Sequence, residues 1–126
     1  MAEVLEERVG PIDVAVVSIS KRARATAKQF LKKIEVNETV VSHELYHAWV
    51  ETILNIVNGL EDRHDSAILF GHNPGFTYVY NHFDDEGIYN LPTCGIFEIK
   101  SDADSWSEVN ASNSTTGLLL YPKLFN

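Results

Sequence analysis

Two short apolar runs constrain this chain more than any other feature. Residues 12–17 (IDVAVV) and 66–70 (SAILF) are almost uninterrupted in apolar character, which is the pattern of a strand covered on both faces. Strands of that kind belong to parallel sheets, because a parallel connection needs a crossover helix that covers the sheet. The intervening segments have the required helical period. From Ser20, the residues Ala23, Ala27, Phe30, Leu31 and Ile34 recur at helical spacing with lysines and Arg24 between them, so an amphipathic helix follows the first run. A second, short strand is expected at residues 39–41. Ser42 then suits an N-cap for a helix starting at His43, whose buried stripe would be Tyr46, Trp49, Val50, Ile53, Val57 and Leu60. An apolar-aromatic helix is expected from Pro74 to about Phe83. Residues 1–8 read as a helix stopped by Gly10-Pro11, and residues 91–100, 106–109 and 118–121 read as later strands. The expected fold is α/β: one domain over residues 1–126, with a mostly parallel sheet, helices on both faces and antiparallel additions near the C-terminus.

The 126 residues, 44% hydrophobic, suffice for one ordinary core. No apolar run approaches a bilayer span, and the acidic start MAEVLEERVG lacks the features of a secretory signal, so a cytoplasmic protein without a membrane partner is expected. A lone cysteine, Cys94, forms no internal disulfide and reads as a small, partly buried residue. The net charge of -8 argues against nucleic acid as a partner. Positive charge is nevertheless concentrated, since Lys21, Arg22, Arg24, Lys28, Lys32 and Lys33 share one segment. A local anion site fits that asymmetry.

In open α/β sheets, ligands bind beyond the carboxyl ends of the parallel strands. Ser18 closes the first run, and Arg22 falls in the first turn of the helix after it. Gly71-His72-Asn73-Pro74-Gly75 closes the other run, with Asn73 suited to the cap position and Pro74 to the first helical position. The helix start offers backbone N–H groups to an anion, and His72 stands beside it. Guanidinium, imidazole and helix N-terminus together make a phosphate site with Arg22, His72, Asn73 and Ser18 as its residues. The pattern HELYH, residues 43–47, raises a competing zinc-peptidase reading, since H-E-x-x-H on a helix can place two ligands on one metal ion. Its first histidine would lie in the fraying first turn, and no third ligand is evident, so no metal and no cofactor are expected.

The segment VVSISKRARATA resembles the S-x-x-x-R-A-x-x-T-A signature of the histidine phosphatase superfamily. ELYHAWVETILNIVNGL followed by SAILFGHNPG, LPTCG and the segment at Trp106 resemble its small phosphohistidine phosphatase branch, the SixA type. The resemblance runs from Val4 along essentially the whole chain. It implies a three-layer, phosphoglycerate mutase-like sheet and hydrolysis of phosphohistidine or a phosphomonoester, with a phosphorylated protein or small phosphomonoester as partner. It also implies that Arg22 and His72 stabilise the transferring phosphoryl group as catalytic residues, with Asn73 lining the pocket. The family's nucleophile is a histidine in an R-H-G motif after its first strand, and this stretch has only Arg8-Val9-Gly10. His43, His47, His64 and His82 are expected in helices or turns away from the strand ends. The expectation is therefore a domain that lacks the family's first strand and nucleophile, through an N-terminally shortened chain. A non-catalytic phosphate or phosphoprotein binder is the alternative. A missing central strand would expose sheet edges and favour a homo-oligomer.

Overall fold

The computed structural model describes residues 1–125. A three-stranded parallel sheet has the order β2-β1-β3, with β1 Ile12–Ser18 in the middle, β2 Val36–Ser42 on one side and β3 Ala67–Phe70 on the other. The register pairs Val17 with both Val41 and Phe70, and Ser18 with Ser42. All three carboxyl ends therefore emerge along one edge. β1 is buried along nearly its whole length, as a central strand must be. β3 departs from expectation: Ala67, Ile68 and Leu69 are only half-buried, and among the described residues β3 pairs with β1 alone, at the edge of the sheet.

The amphipathic segment after β1 forms α2, Lys21–Leu31, with Ala23, Ala27 and Phe30 buried. The Ser20 hydroxyl caps it by accepting from the Ala23 N–H at 3.1 Å. Phe30 meets Phe70 edge to face at 5.6 Å between centroids, which ties the helix to β3. At the N-terminus α1, Ala2–Glu6, buries Ala2 and Leu5.

The chain divides into two compact units, one made of residues 1–48 and 61–72, the other of residues 49–60 and the chain from Asn73 onward. The first contains α1, α2 and the parallel sheet. In the second, α3 Val50–Asn58 and α4 Gly75–Phe83 accompany an antiparallel pair, β4 Ile96–Ser101 with β5 Ser114–Leu120. These antiparallel strands form their own sheet rather than extending the parallel one.

Three local expectations are corrected. The helix expected from His43 begins only at Val50, and residues 43–48 are successive turns. Its buried residue is Leu45, 1% exposed, whereas Tyr46 and Trp49 are 46% and 60% exposed. A turn points its side chains by backbone geometry rather than by the 3.6-residue period, so the predicted stripe fails over this stretch. Residues 106–108 form a 3-10 turn instead of a strand, held by the Asn58 side chain, which donates to the carbonyls of Trp106 and Val109. Cys94 is exposed, with a φ of 60°.

Candidate functional site

Ser18 is the last residue of β1 and is completely buried. Its Oγ accepts from the Ser20 N–H at 3.4 Å and lies 2.8 Å from Nε2 of His72, two residues past the end of β3. The parallel register makes this bond, because Val17 and Phe70 are partners and the chain leaves both strands at the same level. When the Ser18 hydroxyl donates to a neutral His72, the imidazole proton lies on Nδ1, where it can be given to a ligand.

Arg22, in the first turn of α2, is exposed, and its charge acts on the His72 ring. His72 titrates below the ordinary imidazole value, first because it is partly buried, then because His47 and Arg22 oppose a further positive charge. The ring is thereby kept neutral at neutral pH. An anion arriving here would find an N–H donor oriented by Ser18 and the positive charge of Arg22 nearby.

Asn73 has a different environment. Within the second unit its Oδ1 accepts from the N–H and the hydroxyl of Thr77, at 3.1 and 2.9 Å, and its Nδ2 donates to the Leu91 carbonyl at 3.1 Å. The cap residue of α4 is Pro74 and the helix starts at Gly75, one position later than the sequence suggests. Asn73 still satisfies an N–H of the first turn, from one residue further back.

His47 was not anticipated. It lies with its ring centroid 5.2 Å from that of His72, tilted by 32°, and Tyr46 stands edge-on to both rings at 4.2 and 5.6 Å. The signal for it was available in the sequence, since residues 43–48 follow β2 at the same sheet edge that singled out Arg22 and His72. The helical reading of HELYH concealed it. With that stretch in turns, His43 and His47 do not share a helix face, and among the described residues no three His, Cys, Asp or Glu side chains are grouped to hold a metal ion. His64, elsewhere in the first unit, is buried beside Glu38 at 3.3 Å.

No family model and no curated protein matches the chain. Among solved structures, one described as "Putative Phosphohistidine Phosphatase SixA" from Nakamurella multipartitia superposes with a TM-score of 0.80 at 16% identity, over 96% of this chain and 77% of that one. At that identity the likeness establishes the fold: an α/β protein with a three-stranded parallel sheet and helices. No helix among the described residues is long and apolar enough to cross a membrane.

Proposed function

We propose that the chain is a histidine-phosphatase-like domain that binds a phosphoryl group at Ser18, Arg22 and His72 and hydrolyses phosphohistidine or a phosphomonoester. The observation that carries this reading is the 2.8 Å contact between Ser18 Oγ and His72 Nε2, with Arg22 acting on the same ring. It orients an imidazole at the carboxyl edge of a parallel sheet, where such folds bind ligands, and Arg22 follows the central strand at the same edge. Arg22 contributes charge to the non-bridging oxygens, and His72 contributes a donor held neutral until the anion arrives. The fold of the SixA structure is consistent with that chemistry.

The same reading takes the architecture to be a three-layer, phosphoglycerate mutase-like sheet short of one strand. Support comes from β3, which among the described residues pairs with β1 alone and so leaves one edge of the parallel sheet unpaired. A cytoplasmic protein acting on a phosphorylated protein or a small phosphomonoester completes the proposal.

The test is turnover of a chromogenic phosphomonoester and of a phosphohistidine protein. Arg22→Ala and His72→Ala should each lower kcat/KM by about 100-fold, the size of losing one group that stabilises transition-state charge. Unchanged rates in both variants would sink the assignment. A second reading is a non-catalytic phosphate binder at the same residues. It predicts saturable phosphate binding in calorimetry that depends on Arg22, with no turnover of either substrate.

A further inference from the structure

The geometry points to His47 as a further binding group: we infer that His47 joins Arg22 and His72 in holding a phosphate-type oxyanion, and that the two imidazoles take up a proton as the anion enters. This rests on the phosphate-site reading and adds to it a residue and a coupling to pH.

Availability is the first argument. Nε2 of His72 is engaged by Ser18, which leaves that ring one nitrogen for a ligand. His47 is exposed, and its ring meets Tyr46 and His72 through aromatic contacts that leave its nitrogens uncommitted among the described residues. Rings 5.2 Å apart and tilted by only 32° can both reach a tetrahedral anion at their exposed side. Conformation is the second argument. His47 has a φ of 50°, in the left-handed region that few residues other than glycine adopt, and such backbone persists where its surroundings fix it. Tyr46, edge-on to both imidazoles, holds the arrangement.

Electrostatics supplies the coupling. The groups around His72 are Arg22 from α2, Ser18 from β1, and Tyr46 and His47 from the turn, whose other titratable residues, His43 and Glu44, make no bond to either ring. Without an anion, two imidazolium ions beside a guanidinium repel one another. A dianion at their shared side reverses that balance and favours the protonated form of His72 in the complex. Affinity must then rise as pH falls through the imidazole range, and each binding event must draw protons from the buffer.

Sulfate is the probe, because it stays a dianion throughout this range, so any proton taken up belongs to the protein. Calorimetry of the intact chain should give sulfate affinity about tenfold higher near pH 6 than near pH 8, with a heat that changes with the buffer's ionisation enthalpy. His47→Asn is the informative variant, because asparagine tolerates the left-handed backbone and the site is exposed. It should reduce both the pH dependence and the proton uptake while leaving binding dependent on Arg22. Saturable, Arg22-dependent binding with buffer-independent heats, or with His47→Asn indistinguishable from the parent, overturns the role of His47 and leaves the phosphate site standing. No saturable binding at either pH overturns both.

Discussion

At the scale of single residues, the site depends on one hydroxyl with three relationships. Ser18 ends the central strand, receives the Ser20 N–H and fixes His72, so a residue that looks like a simple strand stop sets the orientation of the imidazole. The depressed titration of His72 has a consequence for stability in the absence of ligand. Its folded value lies below its unfolded one, so the unfolded chain binds the proton first. The contribution of His72 is fully present above the ordinary imidazole value of about 6.5 and is lost as pH falls through the lowered folded value. Thermal unfolding between about pH 7 and 5 should therefore show a shallower loss of Tm in His72→Gln than in the parent. Parallel curves would mean that the burial and charge around His72 do not perturb it.

Elements were legible to different degrees, and the reason is local. β1 and α2 follow from their patterns because each lies in the environment its period assumes: a strand covered along its length, and a helix with one buried face. The stretch after β2 does not. Ser42 does act as a cap, its Oγ accepting from the Leu45 N–H at 3.2 Å, but the turn it closes never propagates into a helix. Leu45 takes the core position that helical spacing gives to Tyr46. Leu45→Ala should then destabilise the protein by about 2–5 kcal/mol, as loss of a buried leucine does. Tyr46→Ala should cost under about 1 kcal/mol in chemical denaturation, since its ring is largely exposed. The reverse ranking would restore the helix. In the second unit, the turn before β4 depends on Gly95, where an added Cβ would meet the Pro92 carbonyl at 2.7 Å and the Leu91 side chain at 2.9 Å. That contact explains why Leu91-Pro92-Thr93-Cys94-Gly95 ends in glycine.

At the scale of the whole molecule, an exposed sheet edge and the net charge would act in opposite directions in any encounter between copies. β2 is an edge strand of the parallel sheet, and Val40 and Val41 on it are 44% and 55% exposed. An exposed apolar edge invites strand pairing between molecules, while a net charge of -8 opposes close approach. Raising the salt concentration to screen that charge should increase association in sedimentation velocity. Val41→Lys should suppress the increase, as charged edge residues do. Salt-dependent association that survives Val41→Lys would place the contact elsewhere.

The sequence by itself determined the α/β class, the buried first strand, the helix carrying Arg22, and the positions of Ser18 and His72 after two apolar runs, because these depend on periodicity and on the order of elements. Only the tertiary structure decided which side chains meet. The parallel register brings Ser18 to His72 across 54 positions of sequence, and a run of turns after β2 brings His47 beside the same ring. Neither contact has a local signature, since strand register and turn geometry are set by what the rest of the chain packs against.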